Sequence, residues 1–404
     1  MATLPTTATA AAQSKRPLRR SVESSLTLFP AAAPNGLSES REASPPPSAN
    51  GRRLKPADKL VGIARLAASS PLQDAKRGTE YFSLPVRSIL NRCDSARVPF
   101  GWTVNPYRGC EFGCKYCYAR YTHEYMELDG GDFERKIYVK ANAGPLVARD
   151  IQDKKIWGDH IAIGTATDPY QPAEQQFEIT RTILTELAAR EGLSLSITTK
   201  SNRVLRDLPL LKEISKRSSI SVNLSVTTTS ASLARLLEPR APRPDLRLDA
   251  VRRLREADID AGVLAMPIVP GITDGEDALD SLAKAARDVG ALWFTGRVLF
   301  LMPAALKQFI PFVNAKFPKL ARQYREWYVK HGNAPEEYRL QISERVEVLR
   351  RKYGFQNRPE RSGSTQNAWR SPQLALGLGT QVRGCSSATG VAGLPQRARA
   401  AMPS

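Results

Sequence analysis

The sequence has 404 residues and a formal net charge of +19, from 59 Lys and Arg against 40 Asp and Glu. Hydrophobic residues make up 42% of the chain, which is enough for a folded core and excludes a wholly disordered protein. Five unevenly spread cysteines exclude a disulfide-stapled secreted scaffold, and no apolar run approaches the ~20 residues of a membrane span. We therefore expect a cytoplasmic protein, kept reduced and without membrane segments.

The positive charge is concentrated towards the two ends of the chain. Residues 1–78 carry a net charge of +7 and residues 356–404 carry +5, against +7 for the 277 residues between them. A basic balance favours polyanions such as nucleic acid, although Arg-rich tails also occur without any ligand. Both interpretations are compatible with this charge pattern.

The two ends of the chain have the composition of disordered segments. In residues 1–50, Ala, Ser, Pro and Thr fill 30 positions. Such a segment cannot bury enough apolar surface to offset the backbone entropy that folding costs. The basic, acid-free stretch 1–22 resembles an organellar transit peptide, but it has no clear amphipathic face and is interpreted as a plain tail. We predict disorder for residues 1–78 and again for 356–404.

The middle of the chain alternates β-like and helix-like runs, which is typical of βαβ units. The pattern predicts a mostly parallel sheet in an α/β domain over residues 79–305, as an open doubly wound sheet, a closed barrel or a partial barrel. Residues 306–355 are predicted to form helices packed on this domain. The strands are expected at 161–167, 195–200, 220–226, 263–269 and 292–301.

Three cysteines lie close together in the stretch NPYRGCEFGCKYCYAR, residues 105–120, with the spacing C-x3-C-x2-C. Thiolates are soft ligands suited to zinc or to an iron–sulfur cluster, and an electron-transfer cluster normally has four cysteine ligands. Only three are close here, since Cys93 lies 17 positions upstream and Cys385 falls in a predicted tail. Three cysteine ligands would leave one iron of a four-iron cluster without a protein ligand. That iron could bind S-adenosylmethionine, whose reductive cleavage would give a 5′-deoxyadenosyl radical.

Two alternatives remain open on the residues alone. His123 could complete a structural zinc site, which would make the chain a non-catalytic zinc protein that binds nucleic acid. Most zinc modules, however, use two separated pairs of ligands rather than a triplet. A simple electron-transfer protein is the other alternative.

The cysteine block and its surroundings resemble the radical SAM superfamily, and within it the branch similar to spore photoproduct lyase, often labelled DNA repair photolyase-like. The further blocks that carry this resemblance follow in order from residue 164 to 271: GTATDPYQPAE at 164–174, TKS at 199–201, LEPR at 237–240 and AMPIVPG at 265–271. The resemblance implies a partial (β/α)6 barrel with the cluster loop after the first strand. It also implies a [4Fe-4S] cluster and S-adenosylmethionine as cofactors.

The resemblance assigns roles to individual residues. The expected cluster ligands are Cys110, Cys114 and Cys117. Tyr116 is expected to lie against the adenine through its backbone. The other residues expected to bind S-adenosylmethionine lie near predicted strand ends, where an α/β site is expected; they are Thr167, Asp168, Lys200 and Ser225.

One position departs from the family pattern. Spore photoproduct lyase has a hydrogen-donor cysteine where this chain has Thr165, and a hydroxyl is a poor hydrogen-atom donor. The known thymine-dimer repair cycle is therefore not expected in its usual form. Tyr118 matches a tyrosine of the radical relay in that enzyme, and packing as an ordinary aromatic is the alternative.

The resemblance and the charge together lead to a prediction of function. We expect hydrogen abstraction from an organic substrate, with a nucleic-acid base such as damaged DNA first and RNA, a peptide or a small molecule as alternatives. An external one-electron reductant of the flavodoxin or ferredoxin type would be required. The sequence gives no indication of the oligomeric state.

Overall fold

A computed structural model describes residues 59–76, 78–93, 98–153, 156 and 158–356. Its strands are β1 Leu72–Lys76, β2 Thr79–Ser83, β3 Leu90–Arg92, β4 Trp102–Val104, β5 Tyr107–Arg108, β6 Lys136–Val139, β7 His160–Ile163, β8 Ser194–Thr199, β9 Ser219–Ser225, β10 Asp260–Ile268 and β11 Phe294–Val298. Its helices are α1 Gly62–Ala68, α2 Tyr121–Glu124, α3 Ala143–Asp150, α4 Glu174–Phe177, α5 Ile179–Ala188, α6 Leu208–Ser215, α7 Ala231–Leu237, α8 Pro244–Glu256, α9 Glu276–Asp288, α10 Pro303–Lys316, α11 Ala321–His331 and α12 Glu336–Lys352.

The described residues form two sheets, of which the larger has the strand order β11-β10-β9-β8-β7-β4-β3. Six of its strands run parallel, from β4 to β11, and β3 joins the edge antiparallel to β4. Within the described residues the six parallel strands follow one another in chain order, without the reversal of a doubly wound sheet, and the two edge strands do not pair. The sheet is therefore an incomplete barrel of βα units. The α/β fold expected from the sequence, a partial (β/α)6 barrel, is confirmed.

A smaller sheet with the order β1-β2-β6-β5 lies beside the start of the barrel. Its strand β5 follows β4 directly and pairs antiparallel with β6, with Tyr107 opposite Val139 and Arg108 opposite Tyr138. This pairing fixes the direction in which the chain enters the three-cysteine loop.

The core lies between the larger sheet and the helices that cover it. Strands β8 to β10 are buried over most of their length, as expected of parallel strands covered by helices, and α9 buries one face through Leu279, Leu282 and Ala286. Parallel strands end at one common edge, here called the carboxyl edge, defined by the residues that follow β4, β7, β8 and β9. Polar side chains from these four strand ends can therefore meet at one site.

The folded part begins earlier than predicted, because α1 and β1 lie inside the segment expected to be disordered. Ala64 and Ala67 of α1 are buried, and β1 pairs antiparallel with β2. In a segment rich in Ala and Ser, a short helix and an edge strand are hard to tell from disordered chain by sequence alone. Both are stabilised by tertiary contacts rather than by local propensity. The rest of the predicted N-terminal tail, and residues 357–404, lie outside the described residues.

The strand expected at 161–167 is shorter than predicted, because β7 ends at Ile163. Gly164 follows with φ +87°, and a Cβ there would lie 2.6 Å from Pro169 Cδ and from the Thr198 carbonyl oxygen. The chain therefore turns at this glycine, and Thr167 lies in the loop after the strand rather than at its end. No helix among the described residues is long and apolar enough to cross a membrane.

Candidate active site at the carboxyl edge

The three-cysteine loop is anchored at its first turn. Gly109 has φ +89°, and a Cβ on it would lie 2.7 Å from the Lys136 carbonyl oxygen and 2.9 Å from that of Phe133. The Cys110 amide donates to the Phe133 carbonyl at 3.0 Å. Only glycine combines a left-handed conformation with so close an approach to a second backbone, so this residue sets the path of the loop.

The three predicted ligands are free thiols that are largely removed from solvent. Cys110 and Cys114 are buried and Cys117 is partly exposed. Burial raises the pKa of all three, that of Cys114 to about 12, while Lys200 lowers the pKa of Cys114 and Arg120 lowers that of Cys117. Thiolates in this loop therefore need a compensating positive group, which a metal centre provides.

The three thiols are soft donors of the kind that iron–sulfur clusters and zinc both take. Within the described residues, no three His, Cys, Asp or Glu side chains converge where they could hold a single ion. The His123 ring is buried between Phe133 and Tyr138, and its Nε2 lies 2.9 Å from the Lys136 carbonyl oxygen. The contact of Nε2 with a backbone carbonyl and the packing of the ring against two aromatic side chains weigh against His123 as the fourth ligand of a zinc site.

Thr167 holds the first turn of the cysteine loop. Its hydroxyl donates to the Gly109 carbonyl at 2.6 Å and accepts a hydrogen bond from Gln171, whose amide also donates to that carbonyl. The Gln171 side-chain oxygen accepts from the Glu111 amide at 2.9 Å. Direct contact of Thr167 with S-adenosylmethionine stays a prediction. Gln171 was not singled out in the sequence, although it lies in the 164–174 block.

Asp168 links the loops that follow β7 and β8. Its carboxylate accepts from the Thr199 hydroxyl at 2.6 Å, the Lys200 amide at 2.7 Å and the Tyr170 amide at 2.9 Å. Burial raises the pKa of Asp168, and these hydrogen bonds oppose the rise. The carboxylate is thus occupied with backbone and hydroxyl donors, and it positions the Lys200 main chain.

The Lys200 ammonium points towards the cysteine loop. Its Nζ lies 5.9 Å from the centre of the Tyr116 ring. Burial alone would lower the pKa of Lys200, but Cys114 and Glu238 raise it above its usual value. A cation held beside the cluster loop is suited to bind a carboxylate there, which agrees with the role the resemblance implies.

A buried ion pair between Glu238 and Arg247 closes the site on the other side. Arg247 Nη2 lies 2.6 Å from Glu238 Oε2, and both side chains are almost fully buried, at 1% and 0% exposure. The Tyr116 hydroxyl donates to the other Glu238 oxygen, and Arg247 Nη1 donates to the Ser225 carbonyl at 3.0 Å. The pair thereby connects the cysteine loop to the end of β9.

The end of β9 offers a further unsatisfied group. Ser225 is its last residue and is 5% exposed. Two residues on, the Thr227 hydroxyl is buried and has no hydrogen-bond partner among the described residues. A buried hydroxyl without a partner is unfavourable unless a ligand completes it. This agrees with the predicted position of Ser225 near a bound cofactor.

Tyr118 follows Cys117 and contacts the loop after β7. Its hydroxyl donates to the Thr165 carbonyl, and its ring packs 5.2 Å from Phe300 and 6.4 Å from Tyr121. The Thr165 hydroxyl is held by the Asn105 amide at 3.1 Å. Burial raises the pKa of Tyr118 well above its usual range, and the Cys93 thiol is close enough to raise it further. The structure therefore brings Tyr118 into contact with Thr165, the position at which spore photoproduct lyase has its hydrogen-donor cysteine.

The site belongs to a class defined by a parallel α/β barrel with a three-thiol loop after its first barrel strand. The sequence model of the family described as the Radical SAM superfamily matches residues 104–283. A protein of Mycobacterium tuberculosis described as uncharacterized is 34% identical over 295 residues, covering 72% of this chain and 85% of the relative. One of Methanocaldococcus jannaschii is 37% identical over 175 residues, covering 43% and 63%. The chain belongs to the radical SAM superfamily and is an enzyme of that class.

Solved structures of spore photoproduct lyase have the same fold. One mutant of that enzyme superposes with a TM-score of 0.51 at 16% identity, covering 68% of this chain and 79% of the other. The enzyme complexed with dinucleoside spore photoproduct gives 0.50 at 15% identity, covering 74% and 86%. The expected resemblance to this branch is confirmed for the fold.

Proposed function

We propose that this enzyme cleaves S-adenosylmethionine reductively at a [4Fe-4S] cluster held by Cys110, Cys114 and Cys117, and that it abstracts hydrogen from a nucleic-acid base. The observation that carries the proposal is the loop with three free thiols, two of them buried, beside the Lys200 ammonium. The proposal includes a cytoplasmic location and a flavodoxin- or ferredoxin-type reductant.

The cluster, when bound, would supply the electron that splits the sulfonium of S-adenosylmethionine into methionine and a 5′-deoxyadenosyl radical. The chain's own residues orient this cofactor. Lys200 would pair with its carboxylate, the backbone at Tyr116 would face the adenine, and Ser225 would lie near the ribose. Asp168 and the Glu238–Arg247 pair hold these groups in place through the hydrogen bonds described above.

A nucleic-acid base is the substrate class that the charge supports best. The net charge of +19 favours a polyanion, and spore photoproduct lyase, which shares the fold, has been solved in complex with dinucleoside spore photoproduct. Thr165 replaces the hydrogen-donor thiol, and its hydroxyl is held by Asn105. The chemistry after hydrogen abstraction is therefore proposed to differ from thymine-dimer repair.

The test combines the cluster with the origin of the abstracted hydrogen. Anaerobically reconstituted enzyme, given dithionite, S-adenosylmethionine and deuterium-labelled DNA oligonucleotides, should form 5′-deoxyadenosine that carries deuterium, measured by mass spectrometry. Cys114→Ala should lose the visible absorption of the cluster and the product together. Cys93→Ala is the matched control, because it removes a free thiol outside the ligand set.

Two results would contradict the proposal. Retention of cluster and product by Cys114→Ala would overturn the ligand assignment. Deuterium transferred from labelled peptides or RNA, and not from DNA, would instead point to the alternative substrates.

A further inference from the structure

Two cations lie together on one face of the β5–β6 pair. The register places Arg108 opposite Tyr138, and the Lys140 amide continues the ladder by donating to the Pro106 carbonyl at 3.3 Å. Alternate residues of a strand share a face, so Arg108 and Lys140 are diagonal cross-strand neighbours, a spacing of about 7–8 Å between their Cα atoms. Both side chains are long enough for their charged groups to approach each other.

Neither cation has a counterion in the described part of the chain. Lys140 is 4% exposed, and the one hydrogen bond of its ammonium goes to the Asn105 carbonyl, at 2.6 Å. Arg108 is half-buried, and its Nε is buried without any hydrogen-bond partner. An ammonium offers three donors and a guanidinium five, so most of the donors of this pair are unused.

The electrostatics show that the pair is unfavourable as it stands. Burial, and then Arg108, lowers the pKa of Lys140 to about 7. A buried ammonium beside a half-buried guanidinium, without an anion, destabilises the folded protein unless a ligand that brings negative charge completes the site. The arrangement therefore indicates an anion site.

The pair adjoins the side of the cysteine loop on which Tyr118 lies. Lys140 binds the Asn105 carbonyl, and the Asn105 amide holds the Thr165 hydroxyl at 3.1 Å. Burial raises the pKa of Tyr121 to about 12, and Arg108 is close enough to oppose part of this rise. An anion bound here would lie on the side of the cysteine loop that Tyr118 occupies.

We propose that Arg108 and Lys140 bind a phosphodiester group of the nucleic-acid substrate, next to the base that loses hydrogen. A guanidinium matches two phosphate oxygens in a bidentate geometry, and an ammonium beside it adds a point charge. The site fixes the register of the strand on the enzyme without reading its sequence. This inference rests on the proposed function and names the group by which the substrate is held.

The test removes the charge from either partner in turn. A short fluorescein-labelled DNA oligonucleotide is titrated with the reconstituted full chain by anisotropy, and each phosphodiester is replaced singly by a neutral methylphosphonate. With the wild-type enzyme, a methylphosphonate at one particular linkage should weaken binding by about tenfold. Arg108→Gln should weaken binding of the unmodified strand by a similar factor. In Arg108→Gln that methylphosphonate should have a clearly smaller effect, because Lys140 alone then contacts the linkage. Arg322→Gln is the control, since the Arg322 side chain is 90% exposed on α11.

Wild-type affinity that is insensitive to every single methylphosphonate would overturn the inference. So would additive effects of the methylphosphonate and Arg108→Gln. If Arg108→Gln does not fold, Lys140→Gln and the charge-retaining Arg108→Lys take its place. A wild type that binds one linkage selectively and forms no 5′-deoxyadenosine would contradict the proposed function alone, whereas product formation without linkage selectivity contradicts the phosphate site alone.

Discussion

The Glu238–Arg247 ion pair shows how much the site depends on single buried charges. Glu238 accepts a hydrogen bond from Tyr116 and pairs with Arg247, and both members of the pair are almost fully buried. Burial alone would raise the pKa of Glu238, but Arg247 and Lys200 hold it below its usual value. Removing one member would leave the other charge uncompensated in the interior.

We expect Glu238→Gln to lower the free energy of unfolding by about 3 kcal/mol at neutral pH, because Arg247 would lose its buried counterion. Urea unfolding followed by tryptophan fluorescence measures this change. Glu326→Gln is the matched control. It breaks the exposed Arg322–Glu326 pair, whose side chains are 90% and 57% exposed, and should change stability by about 0.5 kcal/mol or less.

The depressed pKa of Glu238 also fixes the direction of the pH dependence. Its carboxylate stabilises the fold fully above the unfolded pKa of about 4.3, and this contribution is lost as the pH falls through the lower folded value. The difference in stability between wild type and Glu238→Gln should therefore be largest at neutral pH and should narrow below pH about 4. A difference that grows on acidification would contradict the pairing.

At the scale of elements, the cysteine loop is shaped by the turn at Gly109 and by its contacts with two other segments. The Lys115 amide donates to the Leu237 carbonyl at 2.9 Å, and the Arg240 amide donates to the Phe112 carbonyl at 3.2 Å. The loop therefore depends on the chain after α7 as much as on β5. A shift of its first turn should displace all three thiols together.

We expect Gly109→Ala to lose the cluster, because its Cβ would lie 2.7 Å from the Lys136 carbonyl oxygen and force the loop to move. Gly192→Ala is the matched control. Gly192 has a similar φ of +73° but nothing within 4 Å of its Cβ, so it should lose about 1–2 kcal/mol of stability and keep its iron. Iron and sulfide content after reconstitution measure the difference. Equal iron in both variants would show that the close approach at Gly109 is not required.

The sequence predicted the buried barrel strands well and the polar contacts between loops poorly. Strands β8 and β9 lie within a residue of the expected bounds, because long apolar or alternating runs reflect local burial. The end of β7 was misplaced, since Asn105, 61 positions away, accepts from the Ala166 amide and holds a sequence of high β propensity in a loop. The cysteine spacing was visible locally, whereas the Glu238–Arg247 and Arg108–Lys140 pairs appear only once helices and register are fixed.

At the scale of the whole molecule, the charge is divided between the barrel and the two ends of the chain. Residues 1–58 and 357–404 together carry 14 Lys and Arg against 5 Asp and Glu, about half of the net +19. Charges of this kind supply salt-dependent affinity for any polyanion, without selecting a position on it. The proposed phosphate site on β5 and β6 would act differently, by fixing one linkage.

We expect removal of residues 1–58 and 357–404 to reduce the salt dependence of DNA binding. The slope of log affinity against log salt should fall by about 0.7 for each phosphate of a single strand that the shortened chain no longer neutralises. Anisotropy titrations of full-length and shortened chains over a range of salt concentrations measure the slopes. Selectivity for one methylphosphonate position should survive the shortening, because Arg108 and Lys140 remain. An unchanged slope would mean that the barrel alone supplies the polyanion affinity, and disappearance of the positional selectivity would assign it to the ends of the chain.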